Sequence, residues 1–260
     1  MDIIVCLKQN VDMTQVRIKK EAREPVLDGL PFVFGDMDRN ALEEAVRMKE
    51  KIGGKVIAVS VGSTKLRETI KDALAAGADE AVILIDPLFT DLNSQMTAKI
   101  LAKAIQKIGK YDLIILGEGS ADNYSGQVGP RLAEILALPA ITYVGRLEYA
   151  DNKIQATRNM EESLELIESS FPLLITVTSG INEPRLPSLM QILKASKKPL
   201  QEWNASAISI TSEDFGEDGY QIISNLAPVG ERKGVILEGQ LDENIDKLVN
   251  ALQKEGVLGV

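Results

Sequence analysis

Uninterrupted apolar runs alternate with amphipathic ones through the first half of the chain. "DIIVCLK" at the start, "KVIAVSVG" (55–62), "AVILID" (81–86) and "DLIILG" (112–117) have the character of strands buried on both faces. Between them, apolar residues recur at helical spacing. In "RNALEEAVRMKEKIG" Ala41, Leu42, Ala45, Val46 and Ile52 share one face, with Asp38 as the expected N-cap. "TKLRETIKDALAAGADE" (64–80) predicts a helix closing at Gly77, and residues 92–109 predict one ending at Gly109. A further helix runs to Leu138. This alternation predicts an α/β fold of three layers, αβα, around a mostly parallel twisted sheet.

The pattern changes after Leu138. "AITYVGRLEYADNKIQATRNMEESLELIES" reads as short antiparallel strands with a turn at Asp151–Asn152. "PLLITVTSG" (172–180) is a buried strand, expected to be the last of the sheet. "INEPRLPSLMQILKASKKP" is a loop entering a short helix. Residues 201–235 look irregular, with an acidic turn cluster "EDFGEDG", and 242–256 predict a terminal helix with Ile245, Leu248, Val249 and Leu252 on one face. The expected organisation is an α/β domain over 1–200 and a C-terminal extension over 201–260.

Composition removes several functions. There is no His and a single Cys, so the usual metal ligand, the usual neutral-pH base, a disulfide framework and a Cys-rich zinc site are all missing. No metal is expected, and no catalytic acid–base pair stands out. A net charge of −9 argues against nucleic-acid binding. Neither a secretory leader nor a run of eighteen apolar residues is visible, so the expectation is a soluble, cytoplasmic protein without membrane insertion.

One stretch asks for a ligand. "GEGSADNYSGQVGP" (117–130) leaves the carboxyl end of the fourth strand and opens a helix. Ligands of doubly wound sheets sit beyond the carboxyl ends of strands, and a helix start offers free N–H groups to an anion. Ser120 and Ser125 add hydroxyls, and Asp122 is placed to accept from a ribose. The stretch therefore reads as a nucleotide diphosphate cradle, or equally as a plain strand-to-helix loop. It is neither the dinucleotide fingerprint nor a Walker A loop. "FGDMDRN" (34–40) is a second candidate, against simple capping by Asp36 or Asp38. Cys6 reads as core. Leu186, Leu189, Met190, Ile192 and Leu193 are too many for so short a helix to bury; beside Lys194, Lys197 and Lys198 they form a docking patch, unless the helix packs into the core.

Taken in order, "IIVCLKQNVD", "DRNALEEAVRMKEK", "VIAVSVG", "ETIKDALAAGADEAVIL", "GEGSADNYSGQVGPRLAEILALP" and "NEPRLPSLMQILKASKKP" resemble the beta subunits of electron transfer flavoproteins over about residues 1–205. The glycine stretch is more similar to the Fix-type, flavin-bifurcating branch than to the mitochondrial one. The resemblance implies an adenine-nucleotide-hydrolase-like, Rossmann-like fold and a heterodimer with an alpha subunit. It implies AMP in the site in simple members, or a second FAD in bifurcating ones, with NADH as donor. Partners would be an acyl-CoA dehydrogenase-type flavoenzyme, and ferredoxin or flavodoxin. Cofactor contacts carry over to Cys6, Gly35, Asp36, Met37, Asp38, Val61, Gly117, Glu118, Gly119, Ser120, Ala121, Asp122, Asn123, Tyr124, Ser125, Gly126, Gln127 and Val128. A partner recognition loop carries over to 184–198, through Pro184, Arg185, Leu186, Leu189, Met190, Lys194, Lys197 and Lys198, with Leu189 as its anchor. A nucleotide-sensing module without redox partners is the expectation from another class.

Overall fold

The computed structural model describes residues 1–150, 152–215, 222–229 and 233–258. Two units are distinguished: Met1–Arg17 with Val26–Ile223, and Ile18–Pro25 with Ser224–Val260. The strands in chain order are β1 (Asp2–Cys6), β2 (Gln9–Val11), β3 (Arg17–Ile18), β4 (Pro25–Val26), β5 (Phe32–Phe34), β6 (Lys55–Val61) and β7 (Glu80–Leu84). They continue with β8 (Leu113–Gly117), β9 (Ala140–Ala150), β10 (Lys153–Asn159), β11 (Leu164–Ser170), β12 (Leu173–Val177) and β13 (Leu200–Trp203). The helices are α1 (Asp36–Ile52), α2 (Leu66–Ala76), α3 (Ser94–Ile108), α4 (Val128–Leu136), α5 (Leu189–Ala195) and α6 (Leu241–Lys254).

Nine strands form one sheet in the order β11-β10-β9-β12-β8-β1-β6-β7-β13. Every pairing from β9 across to β13 is parallel; β10 and β11 add an antiparallel edge. Along β1, Ile3 and Val5 pack with Ala41, Val46, Leu66 and Ile70 of α1 and α2. Ile4 and Cys6 pack on the other face with Ile100, Ile105 and Leu132 of α3 and α4. Neither parity of such a strand meets water, hence the uninterrupted apolar runs. The chain lays β6 and β7 to one side of β1, then returns to place β8 on the other. That reversal makes the carboxyl ends of β1 and β8 the switch point of the sheet, where such folds open a crevice.

Several expectations are corrected. The sheet does not end with 172–180, because β13 pairs with β7 beyond it, in a stretch expected to be irregular. A four-residue strand in which each parity pairs one apolar with one polar residue, Leu200 with Glu202 and Gln201 with Trp203, leaves no periodicity to read. The sheet therefore takes residues on both sides of position 200, and the larger unit continues to Ile223. Asp38 is not the cap of α1: the helix starts at Asp36 after Gly35, which has no side chain to cap it, and Asp38 lies buried in the first turn. The antiparallel strands run longer than expected, β9 reaching 11 residues. Asp151 of the expected turn and 216–219 of the acidic cluster lie outside the described residues. In the smaller unit α6 buries none of its residues.

Candidate functional site

At the switch point α1 begins directly against the end of β8. A Cβ on Gly117 would stand 2.9 Å from Met37 Cβ and 3.2 Å from the Asp38 backbone N, so only a bare α-carbon lets the two segments approach this closely. Gly119 has a different reason: a Cβ there would lie 2.9 Å from the Tyr124 ring, which folds back over the loop. Two of the glycines thus admit protein atoms, and the case for a ligand rests on polar groups instead.

Those polar groups are unusual. Asn10 and Asp38 are 4% and 5% exposed. Both amide atoms of Asn10, and Asp38 Oδ2, have no hydrogen-bond partner among the described residues. Buried polar atoms are nearly always paired, and each orphan costs about 1–3 kcal/mol. Burial pushes the Asp38 carboxyl up to about 7, against the opposing pull of the Lys8 and Gly35 backbone N–H groups and the Lys8 charge. Burial first, and Asp38 second, push the Cys6 thiol up to about 12, so Cys6 is a packed core thiol rather than a nucleophile.

The Asp38 shift has a measurable sign. A carboxyl that titrates higher in the folded than in the unfolded state favours folding while protonated. Stability is therefore lost as pH rises from the unfolded value of about 4 to the folded value of about 7. Asp38→Asn is expected to stabilise the nucleotide-depleted protein by about 1–3 kcal/mol at pH 8 and by much less at pH 4. Urea denaturation of both proteins at both pH values reads the difference; an equal gain at the two would show that Asp38 does not titrate between them.

The loop beyond β8 is held at three points. The Glu118 backbone N–H donates to Val177 O at 3.0 Å. Tyr124 donates its hydroxyl to Glu118 Oε1 at 2.7 Å, and that bond first, with burial second, pushes the phenol up to about 12. Lys8 Nζ, just past β1, donates to Ser120 Oγ at 3.1 Å and to Asp122 Oδ1 at 2.7 Å. Burial works against the Asp122 charge, but Lys8 and Ser120 outweigh it and hold the carboxyl below its usual range. Both partners of this ion pair are more than a third exposed, and pairs of that kind contribute at most about 1 kcal/mol. A phosphate can therefore take Lys8 from Asp122 at little cost. The starts of α1 and α4 both lack a side-chain cap, so their first-turn N–H groups remain available to an anion.

Of the expected positions, the structure gathers Cys6, Gly35, Met37, Asp38, Gly117 and the following loop around the β1 and β8 ends. Val61 lies at the end of the neighbouring strand β6, half-buried against the α3 side of the core. Ala121, Asp122, Asn123, Tyr124, Ser125 and Gln127 are exposed, Gly126 and Val128 half-buried. Sequence reasoning missed Lys8 and Asn10. The signal for Lys8 was the polar residue directly after an apolar strand at the switch point; Asn10, inside a three-residue strand, had no periodic signal.

The 184–198 segment stands on the α1 and α2 side. Leu186 and Leu189 are 93% and 72% exposed, and Met190, Ile192 and Leu193 are exposed with them. Alone in α5, Ala195 is buried. The segment is nevertheless fastened. Arg185 Nε donates to buried Glu43 Oε2 at 2.7 Å and Arg185 Nη1 to Glu50 Oε1 at 2.6 Å. Burial opposes ionisation of Glu43, but Arg185 and Arg47 hold its carboxyl below the usual range. Asn40 Nδ2 donates to Asn182 O at 2.7 Å, and Asn182 Nδ2 to Glu44 Oε2 at 2.9 Å. Lys198 Nζ donates to Leu74 O and Ala78 O, closing the end of α2. Arg185 and Lys198 thus anchor the segment, while Lys194 and Lys197 remain exposed beside the apolar cluster.

Fold and topology define the class first: a doubly wound α/β protein whose strand order reverses at the ends of β1 and β8. Residues 28–208 match the electron transfer flavoprotein domain. The chain is 36% identical over 261 residues to the electron transfer flavoprotein subunit beta of Thermoanaerobacterium thermosaccharolyticum, covering 99% of this chain and 100% of the relative. It is also 36% identical over 255 residues to the Bacillus subtilis subunit beta, covering 98% of each. Over 262 residues it is 32% identical to CarD, a subunit of the caffeyl-CoA reductase–Etf complex of Acetobacterium woodii, covering 99% of this chain and 100% of the relative. The chain belongs to the electron transfer flavoprotein family, as a beta subunit. Membership implies electron transport, an alpha-subunit partner and association with a flavin or nucleotide. Among the described residues no helix is long and apolar enough to cross a membrane.

Proposed function

We propose that this subunit holds FAD in the crevice between β8 and the start of α1. With its alpha subunit it would pass electrons from NADH, in the cytoplasm, to an acyl-CoA dehydrogenase or enoyl-CoA reductase-type flavoenzyme and to ferredoxin or flavodoxin, an electron-bifurcating role. The observation that carries the nucleotide part is the group of unpaired polar atoms at the switch point: Asn10, Asp38 and two uncapped helix starts. The flavin, when bound, supplies hydride acceptance and single-electron transfer. The chain supplies placement. Lys8 and the α4 start take the phosphates, Ser120 and Ser125 offer hydroxyls, and the 184–198 segment docks the flavoenzyme through Leu189. Identity to a subunit of a caffeyl-CoA reductase–Etf complex supports a reductase-type partner.

A second reading keeps the family and places AMP in the crevice, with electrons shuttled one way from a dehydrogenase to a quinone reductase. It is favoured by the fact that the residues above account for a nucleotide and not for an isoalloxazine ring. Cofactor content of the complex co-purified with its alpha subunit separates the two. Two FAD per heterodimer is the expected result; one FAD with one AMP selects the second reading. A complex carrying no adenine nucleotide beyond the alpha subunit's own FAD would overturn both.

A further inference from the structure

Helix α1 has a second occupied face besides its apolar one. Asn40, Glu43, Glu44, Arg47 and Glu50 recur along it at helical spacing, the pattern of a solvated stripe. Yet Asn40 and Glu43 are only 3% and 4% exposed, and residues 182–185 are bonded along the stripe. Asn182 Nδ2 donates back to Asn40 O at 3.0 Å, and Arg47 Nη2 donates to Glu183 O at 3.0 Å. Arg185 is taken up most completely. Its backbone N–H and its Nε donate to Glu43 Oε2 at 3.2 and 2.7 Å. Its Nη2 donates to Glu43 Oε1 at 3.2 Å and to Glu50 Oε2 at 3.0 Å, and its Nη1 to Glu50 Oε1 at 2.6 Å. Four of the five N–H donors that a guanidinium carries are thus turned onto two carboxylates of α1.

The chain that follows is not held by burial. Leu186, Leu189, Met190, Ile192 and Leu193 are exposed, and Ala195 alone of α5 is buried. A segment with so little apolar surface in the core keeps its orientation only where polar bonds fix it. One ordered beforehand loses less freedom when a partner binds. We propose that Glu43, seconded by Glu50, positions the docking segment by clamping Arg185, and that Arg185 itself does not touch the partner flavoenzyme. This rests on the docking reading above. It takes Arg185 out of the partner contacts that the resemblance implies and brings in Glu43, which the resemblance does not. A planar fork gripped on both edges fixes the direction in which the chain leaves α1 toward Leu186. A lysine, one ammonium on a flexible stem, would not. The grip is firm because its inner half is buried: Arg47 and Arg185 both donate to Glu43, whereas a wholly exposed pair would hold little.

The test uses the heterodimer with its alpha subunit and two readouts. One is steady-state transfer to an acyl-CoA dehydrogenase-type flavoenzyme that the unaltered heterodimer reduces, with that flavoenzyme varied. The other is amide hydrogen exchange of residues 186–195 in its absence. Glu43→Gln is expected to raise KM about tenfold, with kcat within about twofold and cofactor content unchanged. Exchange in 186–195 should quicken about tenfold. Glu50→Gln breaks only the exposed half of the clamp and should raise KM about threefold; it serves where Glu43→Gln folds poorly. Arg185→Lys, which would preserve a charge offered to a partner, should behave like Glu43→Gln. Glu43→Gln combined with Arg185→Gln should stay within about twofold of Arg185→Gln alone, because both act through one clamp. If Arg185→Gln raises KM while Glu43→Gln and Glu50→Gln leave KM and exchange unmoved, Arg185 touches the partner and the positioning role is overturned. If exchange quickens in the Glu43 and Glu50 variants but neither they nor Leu189→Ala raise KM, the docking reading falls and takes the proposal with it.

Discussion

Replacing Leu189 by alanine is expected to lower kcat/KM for electron transfer to the partner flavoenzyme by about 30-fold, with cofactor content and melting temperature unchanged. Leu189 is 72% exposed at the first turn of α5. Removing an exposed side chain costs the fold nothing in buried area, so the loss falls on whatever covers it. An anchor that fills a partner's pocket is worth about 2 kcal/mol or more, hence the factor. The segment keeps its shape without Leu189. Ser188 and Gln191 form a capping box at the start of α5, Lys198 is tied to the α2 end, and Arg185 is bound to Glu43 and Glu50. The effect should appear as a raised KM for the partner with kcat nearly preserved. An unchanged KM in a steady-state assay with the partner varied would remove the docking role from this segment.

The same segment shows what sequence can and cannot carry. Four apolar residues in one short helix, with Leu186 just before it, could be read as too many to bury, and they are exposed, because that judgement needs only helix length and composition. Their attachment could not be read: Glu43 and Arg185 are 142 positions apart, and ion pairs of that range leave no periodicity. The parallel core was legible because buried strands announce themselves as unbroken apolar runs, as in "DIIVCLK" and "DLIILG". β13 was not, because a four-residue edge strand with Gln201 and Glu202 in it looks like loop. At the crevice, the glycine-rich loop drew attention by composition. Asn10 and Lys8 did not, because their meaning comes from what surrounds them: Asn10 from buried amide atoms left without a partner, Lys8 from the distant Ser120 and Asp122 that it reaches.

Gly117→Ala is expected to lower adenine-nucleotide affinity of the heterodimer about 100-fold, and stability by about 1–3 kcal/mol. The added methyl would lie 2.9 Å from Met37 Cβ, 3.1 Å from Met37 C and 3.2 Å from Asp38 N. Two of those three atoms are backbone and cannot rotate aside, so the start of α1 must retreat from β8. That segment carries Gly35, Asp38 and the uncapped N–H groups together. A displacement that would cost one hydrogen bond elsewhere misaligns all of them here, which is why the effect should be large. Farther along, α1 is pinned through Asn40 to Asn182 and through Glu43 to Arg185, so the helix cannot relieve the clash by tilting freely as a rod. Gly180→Ala is the control: its nearest neighbour would be Thr178 Oγ1 at 3.9 Å, ordinary contact, and no change is expected. Calorimetry with AMP and urea denaturation of both variants decide the matter. If Gly117→Ala loses stability but keeps its affinity, the nucleotide does not lie against the α1 start, and the crevice would have to be placed elsewhere on the sheet.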